Sequence, residues 1–260
     1  SFAANTDTNE LHPSWFNTLT FLVDMDPQFL EPLIEFSGLR NGGFKIVDEG
    51  FWIFLSRVNP ASLAIDFKRT LFQDVLKYQD RTLQWLSSQT TSTLAEFFIP
   101  ELEGELKGRA DKAETKTGFQ KYVPLGNLSY IVGYLVKGDA QIDRSYWRNK
   151  LIAYSSDQNE NGVLQRHALF ALEQMGDPTV INELPDLFES KDELIGRAFL
   201  SLCTAVAPDN PKSVEYFIKA VRRNKLAGRY GLFAIKDTSA IKKFLETYIL
   251  YKSPLCLNFS

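Results

Sequence analysis

Histidine and cysteine, the residues most often used in nucleophilic catalysis and zinc binding, are scarce in this 260-residue sequence. The two histidines are His12 and His167, and the two cysteines are Cys203 and Cys256. A Ser-His-Asp or Cys-His arrangement would need one of these histidines, but His12 lies in an N-terminal lead-in and His167 in a helical pattern. The four residues also lack the spacing of zinc ligands. We therefore predict no catalytic residue and no metal site, and we predict Cys203 to be a small buried side chain.

Acidic residues concentrate in two stretches, ELEGEL at 101–106 and DQNENG at 157–162. A calcium loop needs oxygen ligands at alternating positions and a distal bidentate glutamate, which the residues after DQNENG do not supply. The phosphate-binding patterns GxxxxGK[ST] and GxGxxG are absent from the sequence. We therefore expect both stretches to be solvated acidic surface, and we expect no bound cofactor.

Basic residues concentrate in the stretch KAVRRNKLAGR at 219–229. Cations favour the last turn of a helix, so this stretch fits a solvated helix end. It also fits a contact with an anion or an acidic partner, since stacked neighbouring units would bring further lysines alongside. Both interpretations stay open from the sequence.

The whole chain carries a net charge of −3 from 29 basic and 32 acidic residues, which argues against a nucleic-acid partner. No apolar run approaches the roughly 18 residues that a transmembrane helix needs, so we expect a soluble protein without a transmembrane segment. Small residues at Ser1, Ala3 and Ala4 are compatible with a processed N-terminus. Nothing in the sequence indicates a compartment.

The elements that would position any functional surface are repeated near the C-terminus. The segments LQRHALFAL, IGRAFLSLC and AGRYGLFAI align Arg166, Arg197 and Arg229 at intervals of 31 and 32 residues. A period of this size is typical of stacked helical units. The aligned apolar columns are Leu164, Ile195 and Ala227; Leu169, Leu200 and Leu232; and Leu172, Cys203 and Ile235.

Each aligned segment continues through a hinge into a second apolar pattern. Asp177, Asn210 and Asp237 are suited to cap the second helix, and Pro178 and Pro211 follow two of them. Each unit is therefore predicted to be helix, tight turn, helix. The second helices would bury apolar stripes made of Val180, Ile181, Leu184, Leu187 and Phe188, and of Val214, Phe217, Ile218 and Val221.

The recurring arginines have two possible roles in such an array. We predict that Arg166, Arg197 and Arg229 pair with hinge acids such as Asp177 or Asp209 and so form a ladder that fixes the stacking. Ligand binding by the same arginines is the alternative.

The helix pairs, the Arg-x-x-x-Leu opening and the Gly-Asp-Pro turn in RHALFALEQMGDPTV resemble HEAT-type repeats, in particular the short variety seen in phycobilin-lyase-like proteins. The resemblance covers Val163 to Lys252. It implies an all-α fold, an α-solenoid of stacked antiparallel helix pairs. Such repeats serve many unrelated functions, so the resemblance concerns the fold.

The rest of the chain is predicted to be helical but less regular. MDPQFLEPLIEF at 25–36 echoes the hinge and second helix of the repeat. Further helices are predicted at 45–58, 61–78, 81–88, 92–107, 119–137 and 144–155, with a short strand as the alternative near Ile46 to Ile53. The predicted organisation is an irregular helical region at 1–155 that could hold degenerate repeats, regular repeats at 163–252 and a tail at 253–260.

The function that this architecture favours is binding of a protein partner, or of a larger assembly, through the concave surface of the array. The residues predicted to contact the partner form three rows: Asn182, Glu183 and Asp186; Glu215, Lys219 and Arg222; and Lys242, Lys243 and Glu246. These rows would run from acidic to basic. The alternatives are a nucleic-acid-binding HEAT-like protein and, from the resemblance alone, an enzyme of the bilin-lyase type.

Overall fold

The computed structural model describes residues 4–5, 10–40, 46–156 and 161–222, together with Lys242 and Glu246. Along the chain it divides into two compact units between Ile142 and Asp143. Regular structure in the described residues is almost wholly helical, which confirms the predicted all-α class. Two antiparallel strands of two residues each are present, β1 (Ala4–Asn5) and β2 (Glu10–Leu11).

The α-helices of the first unit are α1 (Phe16–Met25), α2 (Leu30–Ser37), α3 (Glu49–Leu55), α4 (Ile65–Thr82), α5 (Ser88–Glu96), α6 (Glu103–Glu114) and α7 (Phe119–Lys137). Those of the second unit are α8 (Arg144–Ser156), α9 (Gly162–Met175), α10 (Val180–Glu183), α11 (Glu193–Val206) and α12 (Pro211–Arg222). Within the described ranges, no helix combines the length and the apolar character that crossing a lipid bilayer would require.

Short 3-10 helices in the first unit begin at Pro13, Pro27, Pro60 and Pro100. Proline fits the first position of a helical turn because its missing N–H would have no partner there. The side chains of His12, Asp26 and Asn59 each accept a hydrogen bond from the backbone N–H two residues on, at 3.3, 3.0 and 3.0 Å. The structure therefore shows His12 as a turn cap.

Helix α7 is the central element of the first unit, and it packs against α4, α5 and α6. Its buried side chains include a polar one, Asn127, which is fully enclosed. The Asn127 side chain accepts a hydrogen bond from the Leu86 N–H at 3.0 Å and donates one to the Gln84 carbonyl at 2.8 Å. The segment after α4 is thereby fixed to α7, and the buried amide is satisfied.

Aromatic side chains fill the core around α3 and α4. Phe51, Trp52 and Phe54 are buried, and the Trp52 ring lies 6.1 Å from that of Tyr78. The Tyr78 hydroxyl accepts a hydrogen bond from the Val47 N–H at 3.1 Å, so its polar end is also satisfied. In the second unit, Trp147 is likewise buried.

A cluster of charged residues ties the end of α2 to α4. The Arg40 guanidinium pairs with Glu31 and, at 2.5 Å, with the largely buried carboxylate of Asp74. Arg81 donates to the backbone carbonyls of Leu39 and Arg40, both at 3.0 Å. Because the buried carboxylate of Asp74 has Arg40 as its partner, the cluster fixes the geometry of this region without leaving that ion uncompensated.

Two of the helices predicted in the first unit differ from those in the structure. The range 81–88 is not a helix, because α4 continues into it and Leu83 then adopts left-handed backbone (φ 49°, ψ 40°) that ends the helix. The range 92–107 is two helices, since Pro100 lacks the N–H that a continuous helix would use. By contrast, α7 has the predicted bounds, and α8 ends one residue later than predicted.

The helices of the second unit begin and end at a constant spacing along the sequence. Helices α9 and α11 begin at Gly162 and Glu193 and end at Met175 and Val206, in both cases 31 residues apart. Their caps match as well: one side-chain oxygen of Asn161 and of Asp192 accepts from the backbone N–H two residues on, at 2.9 Å in each case. The starts of α10 and α12 are also 31 residues apart.

Helices α9 and α11 lie side by side in the same direction. At their N-terminal ends, a Cβ added to Gly162 would come within 2.6 Å of the Asp192 carboxylate. Toward their C-terminal ends, the Ser201 hydroxyl donates to the Glu173 carboxylate at 2.8 Å. The aligned core residues Leu164, Leu169, Leu172, Ile195, Leu200 and Cys203 are all buried. The third aligned segment, at 227–235, lies outside the described residues.

The second helix of the first aligned unit is shorter than predicted. Helix α10 has four residues, and Leu184 then takes extended backbone (φ −78°, ψ 144°). The cause is Pro185, because the residue before a proline is driven away from helical backbone and the proline itself cannot continue the helix. The predicted stripe still reaches the core, since Val180, Ile181, Leu184, Leu187 and Phe188 are all buried.

The predicted arginine ladder is wrong in the described units. Asp177 pairs with Arg148 on α8 and not with Arg166, whose Nε donates to the Gly162 carbonyl at 3.2 Å. Arg197 pairs with Glu193 on its own helix at 2.7 Å. Arg229 lies outside the described residues.

Candidate functional site

The predicted partner-binding residues that the structure describes are exposed or half-buried. The exposed ones are Asn182, Glu183, Asp186, Glu215, Lys242 and Glu246, and Lys219 is half-buried. The side chains of Arg222 and Lys243 lie outside the described part of the chain. The structure also shows which side chains surround each of these charged residues.

Glu183 is held by an arginine that the sequence analysis did not single out. The Arg148 guanidinium donates to both carboxylate oxygens of Glu183, at 3.1 and 2.5 Å, and to Asp177 at 2.6 Å. It also donates to the Thr179 hydroxyl at 2.8 Å. One side chain of α8 therefore binds the hinge and the short helix α10 together, in the forked geometry that arginine favours.

These contacts shift the acidity of both carboxyl groups. Hydrogen bonding from Arg148 lowers the pKa of Glu183 below its ordinary value. Partial burial works against ionisation of Asp177, but hydrogen bonds from Thr179 and Arg148 outweigh it, and the pKa of Asp177 is lowered as well. Both groups are therefore carboxylates at neutral pH, and Arg148 balances one of their two negative charges.

The first and second rows meet around Tyr216. The Tyr216 ring stacks on Phe188 with centroids 5.3 Å apart. Burial, together with the neighbouring carboxylate of Asp186, raises the pKa of Tyr216. The Lys219 ammonium lies 5.8 Å from the centre of the same ring and pairs with Glu215 at 2.7 Å. Asp186, Lys219 and Glu215 are thus grouped around the buried ring of Tyr216.

Ion pairs within the rows alter the predicted change from acidic to basic charge across the surface. The hydrogen bond that Lys219 donates to Glu215 raises the pKa of Lys219, and the Lys242 ammonium lies 3.8 Å from the Glu246 carboxylate. Each described cation of the second and third rows therefore stands beside an acid. The surface offers both signs of charge in close alternation.

Asn182 lies apart from these pairs. Together with Pro178 and Thr179 it lines a shallow groove of ≈ 440 Å³ whose other wall is the next hinge, from Val206 to Asn210. The groove thus runs between two equivalent hinges. Asn210 caps α12 as predicted, with its side chain accepting from the Lys212 N–H at 2.9 Å.

The cysteine prediction is confirmed for the described residues. Cys203 is fully buried in α11, and this burial raises the pKa of its thiol to about 12. A thiol of this kind is a poor nucleophile at neutral pH. In the ranges that the structure covers, no three side chains of His, Cys, Asp or Glu are grouped as metal ligands.

A second exposed surface lies on α1 in the first unit. Phe21 and Met25, one turn apart, are 61% and 68% exposed, and Trp15 and Phe29 beside them in sequence are exposed as well. Large apolar side chains grouped on one helix are less common on a protein surface than single ones.

Arg148 and Tyr216 are the residues that sequence reasoning missed. Neither stands out by type or spacing, because the partners of Arg148 are 29 to 35 residues away and depend on the placement of α8. Proximity of Tyr216 to the Asp186 segment could have been inferred only from the stacking of successive units.

No family model, curated protein or solved structure matches this chain.

Proposed function

We propose that this protein is a binding module without catalytic activity, built as an α-solenoid of stacked antiparallel helix pairs, which engages a protein partner. The observation that carries the proposal is the common 31-residue register of α9 and α11, supported by their parallel packing and their matching caps. Units that repeat in this way bury a continuous core and leave an extended surface along the stack. HEAT-type repeats are the arrangement that we infer.

The partner surface that we infer is the three rows of charged residues. Its centre is the group of charged residues around Tyr216, namely Asp186, Lys219 and Glu215. Because both signs of charge alternate there, the fitting partner is a protein surface with complementary alternating charge. Such charges act chiefly on the rate of encounter and on the choice of partner.

Photo-crosslinking identifies the partner and tests the location together. A photoreactive phenylalanine analogue is placed at Glu215 and, as the matched control, at Asp66 on α4. Both positions are exposed acids that pair with a base on their own helix. We expect a discrete crosslinked protein from the native source at position 215 and none at 66. The same crosslinks at both positions would contradict the proposed surface.

Charge reversal then tests the identified partner quantitatively. The double variant Lys219→Glu and Lys242→Glu should slow association about tenfold at low salt and reduce its salt dependence. The control reverses Arg69 and Lys77, which also pair with acids of their own helix. Both variants should keep wild-type circular dichroism. Unchanged association in the first variant would exclude the charged rows as the binding surface.

A further inference from the structure

A cavity of ≈ 650 Å³ opens between α4, α6 and α7 in the first unit. Its floor is apolar, formed by the buried side chains of Leu76, Ala113 and Leu128. Ligand sites are typically concave, mostly apolar and supplied with a few polar groups, and a volume of this size lies in their usual range. The cavity belongs to none of the surfaces described above.

A buried hydrogen-bond donor without a partner lies in the wall of this cavity. Gln79 is 4% exposed, and its side-chain Nε2 has no hydrogen-bond partner among the described residues. Buried polar groups are nearly always satisfied, and leaving one unsatisfied is costly. The Nε2 atom is enclosed in the free protein, so an acceptor oxygen on a ligand would satisfy this amide once the Gln79 side chain turns toward the cavity.

The mouth of the cavity is basic. Arg109 is held by Asp80 at 2.5 Å, by Glu105 at 3.3 Å and by the Leu76 carbonyl at 3.3 Å, so its position is fixed. Lys112 and Lys116 follow along the same edge, and both are exposed. Three cations against two acids leave a net positive charge, which favours an anionic ligand.

Three backbone features lie in the wall of the cavity. Leu83, in its left-handed conformation, lines the cavity at the end of α4. Non-glycine residues in this conformation are strained and cluster at functional sites. Pro124 of α7 also lines it, and a proline cannot give Gln120 the backbone hydrogen bond that a regular helix would supply. On α6, Gly108 adds no side chain, and a Cβ placed there would touch nothing within 4 Å.

We infer that this cavity binds a small amphipathic carboxylate that carries a carbonyl group in its apolar part. The apolar part lies on the floor of the cavity, and the carbonyl oxygen accepts the hydrogen bond from Gln79. The carboxylate meets Lys112 and Lys116 at the mouth. This site is independent of the protein-binding surface proposed for the second unit.

The test uses the full chain and isothermal titration calorimetry with decanoate, with a series of decanoates bearing one oxo group at successive positions, and with decylamine. We expect saturable binding of the carboxylates with one site per chain, and tighter binding of at least one oxo acid. Decylamine should not bind. No binding of any carboxylate, or equal binding of decylamine, would overturn the inference.

Two variants locate the site. Gly108→Leu projects a side chain into the cavity, and Gly104→Leu is its control on the same helix, where a Cβ also meets nothing within 4 Å but the residue does not line the cavity. Affinity should fall at least about tenfold in Gly108→Leu and stay at the wild-type value in Gly104→Leu. Equal affinities in the two variants would place the ligand elsewhere.

Gln79→Met tests the donor. It replaces the unsatisfied amide with an apolar group of similar size, so the thermal midpoint of the free protein should not fall. The preference for the oxo acid over decanoate, about three- to tenfold in the wild type, should disappear. A preference that survives the substitution would show that Gln79 does not contact the carbonyl.

Discussion

At the scale of single residues, Arg148 shows why charge pairing escapes sequence reasoning. The repeat predicted one of the recurring arginines as the partner of Asp177, because both recur with the unit. The structure gives that position to Arg148, which belongs to α8 and lies outside the repeated pattern. A pairing over 29 residues depends on where a whole helix lies, and residue type and spacing alone do not contain that information.

The Arg148 cluster predicts a stability that depends on pH. Arg148→Met should lower the free energy of unfolding by about 1–2 kcal/mol at pH 7, because it removes charged hydrogen bonds from a partly exposed site. The pKa values of Asp177 and Glu183 are lowered in the fold, so this contribution is complete above their ordinary values of 3.8 and 4.5. It is lost as the pH falls through the lowered values.

Urea unfolding of wild type and Arg148→Met at a series of pH values measures how this contribution to the free energy of unfolding depends on pH. The difference between the two proteins should shrink below about pH 4. A difference that stays constant down to pH 2 would mean that Arg148 contributes by packing and not by charge.

Burial of Cys203 predicts an inert thiol. With a pKa of about 12, only about one thiol in 10⁴ is ionised at pH 8. In a Cys256→Ser background, so that Cys203 alone can react, Ellman's reagent should label the native protein far more slowly than the urea-unfolded protein. Rapid labelling of the native protein would contradict the described placement of α11.

At the scale of elements, the sequence predicted the regular helices best where no tertiary contact overrides local preference. The helix predicted at 119–137 has the same bounds as α7. The sequence prediction failed at Leu83 and at Pro185, where a single residue ends a helix. The proline could have been weighed more heavily, whereas left-handed backbone at a leucine has no sequence signal.

The aligned core columns predict matched losses of stability. Leu169 and Leu200 occupy the same position in α9 and α11, and both are buried. Each Leu→Ala substitution should cost about 2–5 kcal/mol in urea unfolding, because it leaves a cavity in a packed core. The exposed Leu194 is the control, and its substitution by alanine should cost less than about 1 kcal/mol. Equal losses at all three positions would contradict the alignment.

At the scale of the whole molecule, the chain is two units, and the candidate surfaces differ in how far the sequence predicted them. The charged rows follow from a repeat that is visible in the residues. The cavity in the first unit does not, because Gln79, Arg109 and Leu128 come from three helices whose packing has no repeated pattern. The sequence therefore predicts the charged rows, whereas the cavity, which arises from irregular packing, could not be predicted from it.

The internal core of the first unit predicts that it folds alone. A fragment ending at Ile142 contains α1 to α7 and should show a helical spectrum and a cooperative thermal transition. A fragment ending at Thr117 lacks α7, against which α4, α5 and α6 pack, and should lose cooperativity. Circular dichroism on heating compares the two. A cooperative transition in the shorter fragment would mean that α7 is not the central element.

The 31-residue offset between α9 and α11 also bears on how the second unit forms during synthesis. A ribosome needs roughly 2–6 s to add 31 residues, whereas helical domains with short-range contacts fold within milliseconds. In the stack that we propose, each layer therefore has time to dock on the preceding one before the next leaves the ribosome. We expect the apolar face of an unfinished stack to be covered in stages, so that little of it is exposed to aggregation at any moment.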